Sequence, residues 1–205
     1  MLTAEAIKSS FFSLFSRQRT PNHIHVSALP FCLRKEFFNV RFNADPLPNA
    51  AMVKGRIMHN VLKDLNCFSN SCEFEVELRH PLTDVYVLSG RADVIDYDES
   101  VVYEFKFTRR KNSIELDPFY LAQANLYAYL ATVSKAAVVK INLDTFDVSI
   151  LQAECSEDAA KSLINRALEI VRCLETDVLP AGPEREWECK NCPYNIVCSR
   201  LKQEE

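Results

Sequence analysis

Hydrophobic and polar positions divide the chain into blocks of different period. Residues 3–15 carry a helical pattern, and residues 21–25 read as a short extended or turn segment. In 27–36, Ser27 is the expected N-cap of a helix with Pro30 in its first turn. Across 49–66 the apolar residues Val53, Ile57, Val61 and Leu65 recur every four positions, with Met58 and Leu62 widening the stripe, which predicts a strong helix. The period then switches to two. Residues 73–79 alternate polar with apolar and read as a half-buried strand. A second strand follows over 85–96 and a third over 101–107, joined through Asp98-Glu99-Ser100. Beyond them the pattern predicts a helix at 117–133, strands near 136–142 and 146–153, and a helix at 157–175. The stretch 180–200 has Pro, Trp and Cys but little helical period, and no internal repeat is visible. Strands and helices in this order fit an α/β (α+β) fold with a mixed sheet flanked by helices better than alternating βαβ units.

Composition narrows the class. With 205 residues, 48% hydrophobic and 25% charged, the chain can bury a core, so disorder is excluded. The net charge of −4 means that a nucleic-acid partner must be met by a local basic surface. No apolar run approaches the ~18 residues of a membrane-spanning helix. The first residues do not read as a signal peptide: Ser13 and Ser16 break the apolar stretch, and the cations follow it. A cytoplasmic chain with no membrane partner is expected. Eight cysteines, three of them at 189, 192 and 198, then point to metal or cluster ligation rather than disulfides.

The third strand holds the first candidate chemistry. Side chains alternate across a strand, so Glu104 and Lys106 share one face and Tyr103, Phe105 and Phe107 the other. Alone, the Glu/Lys face is an ion pair on a solvated strand. Gly90-Arg91-Ala92-Asp93 adds an acid from the neighbouring strand, with Gly90 admitting close approach of another group. Two carboxylates suit a hard cation such as Mg²⁺ or Mn²⁺, and the lysine can neutralise phosphate charge. Asp96 and Asp98 lie toward the turn and are weaker candidates. Gly55 and His59 share a helical face. His59 is then either a core histidine or, if Gly55 marks close packing on the sheet, a nitrogen ligand. Gln123 and Tyr127 likewise share a helical face, either as a ligand-facing pair or as the polar margin of an amphipathic helix.

Cys189-x2-Cys192-x5-Cys198 supplies three thiolates where structural zinc and a four-iron cluster each want four. Cys32, beside Arg34-Lys35, is the candidate fourth and would clasp the two ends of the chain together. Cys67, Cys72, Cys155 and Cys173 read as small core residues.

Taken in order, Ser27-x-Leu29-x2-Cys32, Gly55-x3-His59, Gly90-x2-Asp93, Glu104-Phe105-Lys106, Gln123-x3-Tyr127 and the terminal cysteines resemble the CRISPR-associated exonucleases of the RecB-nuclease type (the "Cas four" proteins), within the PD-(D/E)xK nuclease superfamily. The resemblance spans 27–198 and shows no departure in these motifs. It implies a restriction-endonuclease-like core in a single domain, 1–205. The core would cover about 49–155, with 1–48 and 180–205 forming an iron–sulfur module. It further implies His59, Asp93, Glu104 and the Phe105 carbonyl as ligands of Mg²⁺ or Mn²⁺, and Lys106 as the catalytic lysine. Gln123 and Tyr127 would support the site or contact DNA, and Cys32, Cys189, Cys192 and Cys198 would ligate a 4Fe–4S cluster. The implied activity is 5′-to-3′ exonuclease action on single-stranded DNA, with endonuclease action a further option, in CRISPR spacer acquisition beside integrase proteins. A homo-oligomer is compatible with it. Helicase–nucleases share these motifs, but the chain has no Walker lysine loop and is too short for a helicase. Arg109-Arg110-Lys111, Lys54, Arg56 and Arg91 offer local charge for phosphates, or simply a solvated surface. Two other readings stay open: a DNA-binding adaptor with a vestigial nuclease site, and a zinc-stapled hydrolase of a non-nucleic substrate.

Overall fold

The computed structural model describes residues 3–14, 18–45, 48–65, 68–109, 117–183 and 185–201. In chain order these form α1 (Ala4–Leu14), β1 (His23–His25), α2 (Leu33–Arg41), α3 (Ala50–Leu62), β2 (Cys72–Pro81), β3 (Val87–Asp96) and β4 (Val101–Thr108). There follow α4 (Asp117–Ala131), β5 (Lys135–Asn142), β6 (Val148–Glu154), α5 (Glu157–Thr176), α6 (Trp187–Lys190) and α7 (Asn195–Leu201).

β3 organises a mixed six-stranded sheet. Antiparallel β2 runs along the whole of one edge, from Cys72 opposite Asp96 to Pro81 opposite Val87. The other edge is divided. β4 pairs antiparallel with Val94, Ile95 and Asp96, whereas β1 pairs parallel with Val87, Leu88 and Ser89. Between these ladders, at Gly90 to Asp93, β3 and β4 fork. β5 is parallel to β4 over its full length, and β6 closes the sheet antiparallel to β5.

Both faces of the sheet are covered, so Glu104 and Lys106 do not stand on a solvated face. Leu88, Ala92, Ile95, Val102 and Val138 pack under Phe37 and Phe38 of α2, Ala124 and Leu126 of α4, and Ala167 and Ile170 of α5. On the opposite face, Leu62 of α3 packs with Val94, Phe105 and Val139. α-Helical ends are capped as their residues suggest. Asn49 accepts the Met52 N–H at the start of α3, and Ser156 accepts the Ala159 N–H at the start of α5.

Three expectations are corrected. Ser27 is not a helix cap: it lies in a 3₁₀ turn, and α2 begins after Cys32 with Pro30 outside it. Arginines anchor that segment outside the helix: Arg166 donates to the Leu29 and Phe31 carbonyls at 2.8 Å each and Arg185 to the Pro30 carbonyl. The apolar stripe of α3 does not face the core as a whole. Val53 and Leu62 are buried while Ile57, Val61 and Leu65 are exposed, because the inner face follows 53, 56, 59 and 62 at three-residue spacing. The C-terminal stretch, read as lacking helix, contains α6 and α7. No described helix is long and apolar enough to cross a membrane.

Candidate active site

The fork between β3 and β4 is where the sequence motifs converge. Where the strands separate, the Asp93 side chain replaces a ladder acceptor, its Oδ2 taking the Phe105 backbone N–H at 2.7 Å. This fixes one carboxylate oxygen and leaves Oδ1 facing His59, whose Nδ1 is 3.2 Å away. The His59 ring stands edge-on to Phe107 at 5.2 Å between centroids. His59 reaches this point although nothing lies within 4 Å of a Cβ placed on Gly55, so close helix–sheet packing at Gly55 is not what brings it there.

Glu104 enters from β4, almost fully buried at 3% exposure. Its Oε1 accepts from Lys106 Nζ at 2.6 Å and from Gln123 Nε2 at 2.8 Å. Its Oε2 is out of solvent and has no hydrogen-bond partner among the described residues. Burial, and then the Asp93 carboxylate, push Glu104 up to about 7 against the opposing pull of Lys106 and His59. A cation between the two acids would reverse that push. Lys106 lies 4.6 Å over the Tyr120 ring. Burial opposes its charge, but the adjacent Glu104 carboxylate holds the ammonium above its ordinary range.

Tyr127 explains Gly90. A Cβ at Gly90 would stand 2.5 Å from Tyr127 Cε1 and 2.8 Å from its hydroxyl, so only glycine lets the ring cross the strand. The buried phenol meets the Arg91 backbone and the Gln123 side chain; burial, then the Glu104 and Asp93 charges, raise its pKa well above the usual range. It is a neutral wall of the site.

Sequence reasoning missed Glu75. Ligand atoms of His59, Glu75 and Asp93 all lie within 4.8 Å of one another, the one such group of three among the described residues. Glu75 sits within β2 at φ 56°, a left-handed conformation that a glutamate in a strand seldom adopts. It also pairs with Arg91 Nη1 at 2.7 Å. In the sequence it belongs to the row Glu73, Glu75, Glu77, which reads as a solvent face; the local twist that turns it inward leaves no pattern.

These groups line one cleft of about 950 Å³, shared by His59, Glu75, Asp93, Glu104, Lys106, Gln123 and Tyr127. The oxygen-rich donors with one imidazole suit Mg²⁺ or Mn²⁺. Glu104, with its unpartnered Oε2, faces the same cleft but is not among the three residues whose ligand atoms lie together. Of the basic run at 109–111, Arg109 is paired with Asp144, and the other two residues lie outside the described residues.

The cysteines form a second locality. The Cys32 N–H donates to Glu188 Oε2 at 2.7 Å, Arg34 Nη1 to Cys198 Sγ at 3.6 Å, and Phe31 meets Trp187 edge-on. Burial raises the Cys32 thiol, and nearby Cys192 adds to that shift against two backbone N–H groups. Cys189, Cys192 and Cys198 are free and half-buried. Four thiols are the number that a 4Fe–4S cluster or a structural zinc takes, and among the described residues no three of these sulfurs lie within 4.8 Å of one another. Cys173 is buried and Cys155 half-buried against the core, while Cys72 joins the β3–β4 turn; Cys67 lies outside the described residues.

A sequence model of the PD-(D/E)XK nuclease superfamily matches residues 68–199. The chain is 27% identical to the CRISPR-associated exonuclease Cas4 of Saccharolobus solfataricus, over 97% of this chain and 98% of that protein. Its fold resembles the crystal structure of SSO0001, with a TM-score of 0.71 and 24% identity over 97% and 96% of the two chains. It also resembles the alkaline exonuclease LHK-Exo of Laribacter hongkongensis, with a TM-score of 0.55 and 11% identity over 96% and 98% of the chains.

Proposed function

The chain belongs to the PD-(D/E)XK nuclease superfamily, and on that footing we propose that it is a divalent-metal-dependent DNA exonuclease. The observation that carries the reading is the cluster of His59, Glu75 and Asp93 ligand atoms within 4.8 Å of one another, in the cleft that the buried Glu104 and Lys106 also line. His59, Asp93, Glu104 and the Phe105 carbonyl would hold Mg²⁺ or Mn²⁺, with Glu75 as a further donor. When bound, the ion supplies positive charge for the negative charge that develops on the scissile phosphate. Lys106 places its ammonium beside that phosphate, oriented by Glu104 and steadied over Tyr120. Gln123 fixes the Glu104 oxygen that Lys106 also holds, so the second oxygen is presented to the cleft. Tyr127 excludes water from behind the pair.

Likeness to the Saccharolobus exonuclease along nearly the whole chain supports the finer reading. We place the protein in the cytoplasm, degrading single-stranded DNA 5′-to-3′ as it processes fragments for CRISPR spacer acquisition with integrase partners. It is one nuclease domain, 1–205, whose segments 1–48 and 180–205 hold a structural 4Fe–4S cluster on Cys32, Cys189, Cys192 and Cys198. The function is tested with single-stranded DNA labelled at either end, with and without Mg²⁺ or Mn²⁺. Metal-dependent release of nucleotides, the 5′ label lost first, is expected. An intact substrate with both metals would leave the adaptor reading in its place. Visible charge-transfer absorption separates the iron cluster from zinc.

A further inference from the structure

Beyond the metal ligands, the cleft extends along the inner face of α3 toward β1. There it is lined by Arg56, Asn60, Arg91, His23 and Ser89. Arg56 lies three residues before His59, so one helical face carries both into the cleft. Its Nη1 is out of solvent and has no hydrogen-bond partner among the described residues. A desolvated guanidinium nitrogen without an acceptor is unfavourable in a folded protein, and it is found where a ligand supplies the acceptor. The second guanidinium in this limb, Arg91, is held by Glu75 on one side and remains partly exposed. Burial, with Arg91 acting in the same direction, disfavours the Arg56 charge while Asp45 acts against them. An anion between the two arginines would relieve both effects.

We infer that Arg56, with Arg91 in the same cleft, is a phosphate-binding subsite that holds the DNA strand beside the metal-binding residues. The inference rests on the nuclease reading of the neighbouring site. The planar, fixed fork of a guanidinium matches two phosphate oxygens, which an ammonium cannot do. The phosphate could be a terminal monoester or an internal diester, since the donors recognise the oxygens that both share.

The test measures binding of 12-residue oligothymidylates, fluorescent at the 3′ end and bearing a 5′-phosphate or a 5′-hydroxyl, with EDTA present to prevent cleavage. Arg56→Gln is expected to weaken binding about tenfold and to lower the slope of log Kd against log salt by about 0.7, the value of one single-strand phosphate contact. Arg56→Lys should keep the slope but not the full affinity. A larger loss for the 5′-phosphorylated strand assigns the subsite to the terminal phosphate, and equal losses assign it to an internal one. Unchanged affinity and slope in Arg56→Gln would overturn the inference. So would a marked fall in its melting temperature, since that would mean the guanidinium is paired within the protein. Digestion of the same strands by the wild-type protein with Mn²⁺ keeps the two claims separate. If it digests them and Arg56→Gln binds normally, only the subsite is lost; if it digests nothing, the nuclease reading itself fails.

Discussion

Glu75 is the residue of the proposed metal site that sequence pattern conceals and backbone geometry brings forward. Glu104, Lys106 and Asp93 are legible because charges interrupt otherwise apolar strands, and His59 because a histidine lies on an apolar helical face. Glu75 interrupts nothing, since acids alternate with apolar residues on both sides of it. Its left-handed φ is a strain of the order of 1–3 kcal/mol that the surrounding sheet must offset, a pattern found at functional sites. Glu75→Gln is therefore expected to raise the Mn²⁺ concentration needed for half-maximal activity by about tenfold, roughly 1.4 kcal/mol, while leaving the rate at saturating metal close to wild type. Equal losses at all metal concentrations would show that Glu75 acts on something other than the cation. Gly90 was legible as a place of close approach, but not what approaches: the Tyr127 ring comes from an element far along the chain.

At the scale of elements, the strands and the long helices follow from period, and the errors lie where tertiary contacts override local pattern. Arginine donors hold 27–31 out of the helix that Ser27 and Pro30 suggest, and α3 packs along a three-residue row that includes Arg56 and His59. A strand-end reading that did hold concerns Asp96, placed toward the turn between the second and third predicted strands. Its Oδ1 accepts the backbone N–H groups of Asp98 and Glu99, and Ser69, Ser71 and Cys72 donate to the same carboxylate. Burial pushes the Asp96 carboxyl up, yet the Glu99 N–H and these side chains outweigh it and hold it down at about 2. The unfolded value is about 3.9, so the anion's contribution to stability is complete above about pH 4 and is lost as the pH falls through 2. Asp96→Asn should be about 1–2 kcal/mol less stable at pH 7, with the gap to wild type closing between pH 4 and pH 2. A gap that stays constant over that range, in urea melts of the two proteins, would contradict the assignment.

At the scale of the whole molecule, the two chain ends meet beside α2. Arg19 pairs with the buried Glu36, which also accepts the His25 N–H, and Tyr194 of the C-terminal segment donates to Asn39 of α2. The cysteine spacing made this meeting legible as a clasp, while the polar network beneath it was not, because its members are scattered singly through the sequence. Ligation of Cys32 together with the C-terminal cysteines would close a loop through most of the chain and constrain the unfolded state by several kcal/mol, of the order found for long cross-linked loops. Cys32→Ala is expected to lose visible absorption and iron, and to melt lower, whereas Cys155→Ala keeps about four irons per chain. Equal iron in the two variants would remove Cys32 from the ligand set.

The site at the strand fork is built at the expense of stability, since Glu104 presents a buried carboxylate oxygen with no partner in the protein. The most direct measurement compares wild type with Glu104→Gln, both for melting temperature without divalent metal and for release of nucleotides from end-labelled single-stranded DNA with Mn²⁺. The near-isosteric change removes the charge and keeps the shape. Glu104→Gln should melt at or above the wild-type temperature while nucleotide release falls at least a hundredfold, about 2.7 kcal/mol of lost transition-state stabilisation. Digestion at the wild-type rate by a folded Glu104→Gln protein would contradict the placement of the nuclease site at this fork.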